Sequence, residues 1–114
     1  MSGSIVIESF TTKYVKGRKA VVRPNTYGAN GTLALQVFDA VDGDPLVTAT
    51  VNPVGGPVPK GMVAIKNWSE NEGVEQAFID AEIINAKPYA QLSQGYVTIN
   101  VYRLTQKARD AFGV

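Results

Sequence analysis

The sequence predicts one α+β domain, residues 1–114, in which a mainly antiparallel sheet of five or six strands packs against one main helix, with a short C-terminal helix. Three observations support this prediction. Alternating apolar residues mark short strands in the first half of the chain, an amphipathic segment follows at 74–84, and another alternating strand comes at 96–104. Strands that precede a helix in a run are typical of α+β folds.

The composition is that of a globular protein with one hydrophobic core, at 114 residues and 45% hydrophobic content. The chain has no Cys and no His, which removes disulfides, thiolate chemistry and the commonest general base and metal ligand. MSGSIVIESF lacks the basic start and apolar run of a secretion signal, and no run reaches the roughly 18 apolar residues of a membrane span. We expect a cytoplasmic protein without cofactor, metal or membrane contact.

Charge is unevenly distributed although the net charge is only +1. Residues 1–38 carry five basic side chains against Glu8, whereas residues 39–82 carry eight acidic side chains against Lys60 and Lys66. The acidic middle segment is either an ordinary solvated surface or a face that binds a basic partner.

The N-terminal third predicts two strands and a loop. Residues 5–10 alternate as a first strand that can run on to Tyr14. A basic turn at 16–19 leads to a second strand that starts at Ala20 and ends before Pro24. Residues 25–31 are rich in turn formers and predict a loop. Tyr27 in this loop either contacts a partner or folds back on the sheet.

Residues 32–51 predict a β-hairpin. Leu33, Leu35 and Val37 alternate on one face, Asp42-Gly43 supplies the turn, and a return strand begins near Leu46. Three aspartates near the turn lack the spacing and the closing Glu of an EF-hand, so we expect no calcium site there. The segment PVGGPVPKG at 53–61 predicts an irregular crossing to the next strand.

The stretch at 62–84 predicts a buried strand, Met62–Ile65, followed by a helix over 70–84 that ends at Asn85. Ser69 and Glu72 have the spacing of a capping box, with Ser69 as N-cap. Gly73 then falls in the first turns of the helix, where it costs about 1 kcal/mol relative to Ala. Gly73 either arose by neutral drift on a solvent-exposed face of the helix or makes room for another backbone segment or a partner.

After a connection at 87–95, residues 96–104 predict a strand and Thr105 predicts the cap of a last helix, Gln106–Phe112. Phe78 on the main helix and Ile99 on this strand are predicted to be buried and to face each other across the helix–sheet interface.

Three stretches resemble a family of small uncharacterised proteins of phages, conjugative plasmids and other mobile elements. They are TVNP at 50–53, VAIKNWSENEGV at 63–74 and the strand at 95–104 that ends in VYRL. The most specific motif is Ile-Lys-(Asp/Asn)-aromatic-Ser-Glu-Asn-Glu-Gly, which residues 65–73 match. The resemblance covers residues 30–104, and the N-terminal third carries none of it. It implies an accessory protein without catalytic residues that acts in the cytoplasm of a bacterial host and, as for some relatives, inhibits a CRISPR effector.

We therefore expect a non-enzymatic protein that binds a host protein, such as a nucleic-acid-binding defence protein. The residues expected to bind this partner lie in the motif: Lys66, Asn67, Trp68, Glu70 and Asn71. An aromatic residue such as Trp68 can anchor an interface, but it can also pack over the edge of the core, and the two asparagines can equally bond to a neighbouring loop.

Two other functions are weaker. A small nucleic-acid-binding protein is the alternative, and its basic patch would be Lys13, Lys16, Arg18 and Lys19 near two aromatic residues. The same residues can form a solvated sheet edge. Catalysis by Glu70 with Glu72, or by Ser69 with Lys66, has little support, because helix residues two apart diverge and the Ser–Lys spacing is a weak signal.

Overall fold

Seven strands and two short α-helices form the fold of the described residues. The computed structural model describes residues 3–28, 30–53 and 58–114. The strands are β1 (Ile5–Phe10), β2 (Arg18–Thr26), β3 (Leu33–Asp39), β4 (Pro45–Thr48), β5 (Met62–Ile65), β6 (Ala90–Gln94) and β7 (Val97–Arg103), and the helices are a 3₁₀ turn (Ser69–Asn71), α1 (Val74–Asp80) and α2 (Gln106–Phe112). No helix within the described ranges has the length and apolar character needed to span a membrane.

The strands form two antiparallel sheets, in the orders β1-β2-β3-β4 and β5-β7-β6. The chain after β4 joins them. The Ala49 N–H donates to the Leu35 carbonyl (2.9 Å), the Lys66 N–H donates to the Ala49 carbonyl (2.9 Å), and Thr50 forms a bridge with Ile65. The α+β class and the antiparallel pairing are confirmed. The structure differs from the predicted single sheet on one main helix, because the strands divide between two sheets.

The main core lies between the two sheets and both α-helices. Its largest fully buried side chains are Phe10, Phe78 and Phe112, and the rings of Phe10 and Phe78 are 6.5 Å apart. Burying one such aromatic side chain contributes about 1.5–3 kcal/mol.

A second, smaller apolar cluster covers the other face of the three-stranded sheet. It contains Met62, Ala64, Ile99 and Val101. Alternate residues of β5 therefore enter different clusters, which explains why the whole strand is buried. Because Phe78 belongs to the main core and Ile99 to the second cluster, the prediction that they face each other is wrong.

The start of the main helix also differs from the prediction. Ser69 has φ +57° and begins a 3₁₀ turn, and no side chain caps this turn. The α-helix starts at Val74, and its N-cap is Gly73, with φ +98°. The capping box of Ser69 and Glu72 is therefore wrong. The helix ends at Asp80, because Glu82 takes up a left-handed conformation (φ +59°) and turns the chain into the core.

Other elements agree with the sequence in part. The hairpin of β3 and β4 is confirmed, as is α2, whose Thr105 hydroxyl accepts a bond from the Ala108 N–H (3.1 Å). β2 continues past Pro24 because β1 begins opposite Val22, so that this part of β2 pairs with β3 alone. Strand β6 lies in what the sequence predicted as a connection. In the predicted crossing at 53–61 and the loop at 25–31, residues 54–57 and 29 lie outside the described residues.

Candidate partner-binding surface

An ion pair between Lys66 and Glu70 forms one wall of a groove. Lys66 follows β5 directly and Glu70 lies in the 3₁₀ turn, so the turn brings their side chains together with Nζ and Oε1 2.7 Å apart. The Lys66 side chain is 28% exposed and that of Glu70 49%. The hydrogen bond from Lys66 is the main cause that lowers the pKa of the Glu70 carboxyl. Both charges stay accessible at the surface.

The groove beside this ion pair has a volume of about 470 Å³. The outward face of the β3–β4 hairpin forms its floor, where Gln36, Phe38 and Thr48 contribute side chains. The Arg23 guanidinium carbon lies 5.2 Å from the centre of the Phe38 ring. The surface thus combines a floor of mixed polar and apolar residues with paired charges, which suits a protein segment with polar, apolar and charged side chains.

Asn71 holds the 3₁₀ turn against the hairpin and is not part of the exposed surface. Its side chain is fully buried, and its Nδ2 donates to the Thr48 carbonyl (2.7 Å). Its Oδ1 has no hydrogen-bond partner among the described residues. Because a buried amide cannot reach a partner, we correct the prediction that Asn71 contacts one. Asn71 instead fixes the wall that carries Glu70.

Asn67 belongs to a polar network around Glu75. Asn67 Nδ2 donates to one carboxylate oxygen of Glu75 (2.9 Å), while Asn100 Nδ2 (2.8 Å) and the Tyr102 hydroxyl donate to the other. Burial raises the pKa of Tyr102 to about 12, and the hydrogen bond to Glu75 and its charge add to this shift. The network attaches the first turn of α1 to β7.

Sequence reasoning missed the role of Glu75, although a signal for it was present. The polar face of the strand after the helix carries Asn100 and Tyr102, and a sheet face that packs against a helix needs a polar partner for such groups. An acidic residue in the first turn of the helix is the natural acceptor.

Trp68 lies outside the lining of the groove. It is partly buried and packs against the second apolar cluster. This placement agrees with the alternative that the tryptophan packs over the edge of the core. Of the five residues predicted to bind a partner, the structure brings only Lys66 and Glu70 together in the groove, while Asn67, Trp68 and Asn71 hold the surrounding structure in place.

Three of the four basic residues of the alternative nucleic-acid patch are close to carboxylates. Lys13 Nζ lies 3.7 Å from Glu72, Lys19 Nζ lies 3.9 Å from Glu8, and Arg18 bonds to Asp39. Lys16 lies exposed in the connection between β1 and β2. These contacts reduce the positive field that a phosphate backbone would meet.

Asp39 has a structural role at the tip of the β3–β4 hairpin. Its buried carboxylate accepts the backbone N–H groups of Val41 (2.8 Å) and Asp42 (3.3 Å), besides the Arg18 contact. The bond from the Val41 N–H is the main cause that lowers the pKa of Asp39. Asp39 therefore shapes the turn. Within the described part of the chain, no cluster of three or more acidic, Cys or His residues could hold a metal ion.

The chain matches no protein-family model, no curated protein and no solved structure. The resemblance of residues 65–73 to mobile-element proteins therefore stays a prediction.

Proposed function

We propose that this protein is a non-enzymatic binding module whose partner is another protein, bound at the groove beside Lys66 and Glu70. The observation that carries this proposal is the groove itself: an open concave surface whose floor has apolar residues such as Phe38 and Leu46 beside polar ones, with an accessible ion pair on its wall. Specific protein interfaces combine an apolar centre with charged groups at the rim that set orientation.

The acidic middle of the chain supports a partner with positive charge. Asp42 and Asp44 are exposed at the hairpin tip, and Asp44 directly precedes Pro45, which lines the groove. Negative charge next to a binding groove steers a basic partner toward it and rejects acidic ones. A basic nucleic-acid-binding protein fits this pattern, because its own binding site is complementary to negative charge.

The resemblance to mobile-element proteins gives the proposal its biological setting. We infer an accessory protein of a phage or another mobile element, which binds a host defence protein in the bacterial cytoplasm and inhibits it in the manner of an anti-CRISPR protein. The three side-chain donors to Glu75 link α1 to β7, so we assign this carboxylate a structural role.

Affinity capture from a bacterial host lysate, with and without nuclease, tests the proposal. Tagged protein should retain a host protein after nuclease treatment, and that protein should have a basic surface. The variant Lys66→Glu/Glu70→Lys keeps an ion pair but reverses both charges, so it should lose the captured protein. Recovery of nucleic acid in place of protein would contradict the proposal and favour the basic patch near Lys16.

A further inference from the structure

The loop between β2 and β3 contains a turn that is held by the side chain of Asn30. The Thr32 N–H donates to the Asn30 Oδ1 (3.0 Å), and the Gly31 N–H donates to the Tyr27 carbonyl (2.8 Å). Gly31 has φ +72°, a left-handed conformation that glycine adopts at little cost. Asn30 and Gly31 are both exposed, so water and hydroxide can reach the backbone that joins them.

Asn30 is the one asparagine of the chain that precedes a glycine. Because glycine has no side chain, it leaves the asparagine Cγ open to attack by the next backbone nitrogen. The other asparagines are followed by a larger residue or, at Asn52, by a proline without an N–H. Asn71 is also buried. Sequence and exposure therefore single out Asn30 as the asparagine most open to cyclisation.

We propose that Asn30 is a site of spontaneous deamidation, which passes through a cyclic imide formed with Gly31. Local opening of the exposed turn frees the Gly31 N–H from Tyr27, and hydroxide removes its proton. The Gly31 nitrogen bonds to the Asn30 Cγ, the Cγ–Nδ2 bond breaks, and Nδ2 leaves as ammonia after taking a proton from water. The Thr32 N–H stabilises the negative charge that develops on Oδ1 during the attack.

Water then opens the imide ring in either of two ways. Cleavage between the Gly31 nitrogen and Cγ gives aspartate at position 30. Cleavage between the same nitrogen and the backbone carbonyl carbon of residue 30 gives isoaspartate, in which the main chain runs through Cβ and Cγ. Both products carry a carboxylate in place of an amide, so each lowers the formal net charge from +1 to zero.

The turn between β3 and β4 indicates that aspartate fits this position. There the Asp44 N–H donates to the Asp42 Oδ1 (3.0 Å). The Gly43 N–H donates to the Asp39 carbonyl (2.9 Å), and Gly43 has φ +76°. Asp42 thus has the same place in its turn as Asn30 has in the loop between β2 and β3. An aspartate at position 30 can therefore keep both hydrogen bonds of the turn.

Isoaspartate does not fit the same loop. The Tyr27 N–H donates to the Thr32 carbonyl (2.9 Å) and closes the loop, and isoaspartate adds one main-chain atom between these two residues. The Asn30 Nδ2 also donates to the Asn52 Oδ1 (3.1 Å), which links the loop to the chain that follows β4. The Asn52 amide can turn its own donor toward an aspartate, but the longer main chain of isoaspartate displaces the side chain. We therefore expect the two products to differ in stability.

Peptide mapping of the full chain after storage in mildly alkaline buffer tests the site. The Asn30 peptide should gain the mass difference between an amide and a carboxyl group before the peptides of the six other asparagines do. It should contain both aspartate and isoaspartate, and isoaspartate is decisive because direct hydrolysis of the side-chain amide does not produce it. Absence of isoaspartate at position 30, or conversion of another asparagine at the same rate, would overturn the proposal.

Gly31→Ala and Gly43→Ala form a matched pair that tests the attacking group. Both place alanine at a positive φ, and no described atom beyond the chain neighbours lies within 4 Å of either added Cβ. Only Gly31→Ala puts a methyl group beside the attacking nitrogen, so it should slow the conversion of Asn30 several-fold, while Gly43→Ala should leave the rate unchanged. Equal rates in the two variants, with unchanged circular dichroism, would contradict attack by the Gly31 nitrogen.

Urea unfolding of the products tests the fit of aspartate. Asn30→Asp should unfold at the same urea concentration as the unmodified chain, because the turn keeps its hydrogen bonds. The isoaspartyl form, separated from the stored protein by chromatography, should unfold at a lower urea concentration. A loss in Asn30→Asp as large as that of the isoaspartyl form would overturn the equivalence of the two turns.

Discussion

Replacing Gly73 with alanine tests the helix start that the structure shows. Gly73 is the N-cap of α1 with φ +98° and ψ −10°, a conformation that costs an L-residue roughly 1–2 kcal/mol. An added Cβ would lie 3.4 Å from the Thr12 Cα and 3.5 Å from the Thr11 carbonyl oxygen, which are ordinary contacts. We therefore expect Gly73→Ala to lower the free energy of unfolding by about 1–2 kcal/mol, almost entirely through backbone strain.

If Ser69 and Glu72 formed a capping box, Gly73 would lie inside the helix and Gly73→Ala would raise the free energy of unfolding instead. A glycine inside a helix gains about 1 kcal/mol when replaced by alanine, so an increase in stability would refute the described helix start. Urea unfolding followed by circular dichroism gives the free energy, and an unchanged m-value shows that the same surface is exposed. Gly43→Ala is the matched control, because Gly43 has φ +76° and no described atom beyond its chain neighbours within 4 Å of an added Cβ. Any excess loss in Gly73→Ala measures the contact with Thr12.

Three further predictions concern the caps, the core and the Glu75 network. Ser69→Ala should change the free energy of unfolding by less than about 0.5 kcal/mol, because the Ser69 side chain makes no cap bond. Thr105→Ala should lower it by about 1 kcal/mol, because the Thr105 hydroxyl caps α2. Equal losses of the two variants in urea unfolding would contradict this. Phe78→Ala should lower it by about 3–5 kcal/mol by leaving a cavity, and a loss below about 1 kcal/mol would show a solvated helix face. Tyrosinate absorbance should show that Tyr102 titrates near pH 12, so its contribution to stability is present below about pH 10 and is lost as the pH rises toward 12. Glu75→Gln should lower the pKa of Tyr102, and an alkaline titration unchanged in Tyr102→Phe would contradict the assignment.

The sequence predicted elements whose signals are local. The β3–β4 hairpin follows from alternation around Asp42-Gly43, and α2 follows from Thr105 as its cap. Both depend on residues close in the chain. The strand β6 escaped prediction because its five residues are uncharged and largely exposed, and because the two apolar residues on one face, Ala90 and Leu92, are too short a pattern to predict a strand.

Residues 69–73 were misassigned because a capping box and a 3₁₀ turn use the same residue types. Glycine was the decisive residue: its left-handed conformation at 73 ends the turn and starts the helix one turn later than Ser69 implied. The single predicted sheet failed for a different reason. The apolar run of β5 and the alternation of β7 do not show what covers each face of the strand, and each face of this sheet carries an apolar cluster.

The candidate surface was predictable only in part. Lys66 and Glu70 were identified from the motif and do lie together at the groove. The floor of the groove comes from β3 and β4, which ends at Thr48, 18 residues before Lys66 in the sequence. The buried Asn71 side chain bonds to the Thr48 carbonyl in the same way. Contacts of this range follow from tertiary packing, which a local pattern does not specify.

The affinity of the captured host protein for purified variants tests the central claim most directly. Interferometry should show that Lys66→Glu/Glu70→Lys raises Kd by about tenfold or more relative to the unmodified chain, since the groove then presents reversed charges. Glu8→Lys/Lys19→Glu reverses an ion pair on β1 and β2 in the same way and should leave Kd within about twofold. An unchanged Kd in the first variant, or an equal loss in both, would contradict binding at the groove.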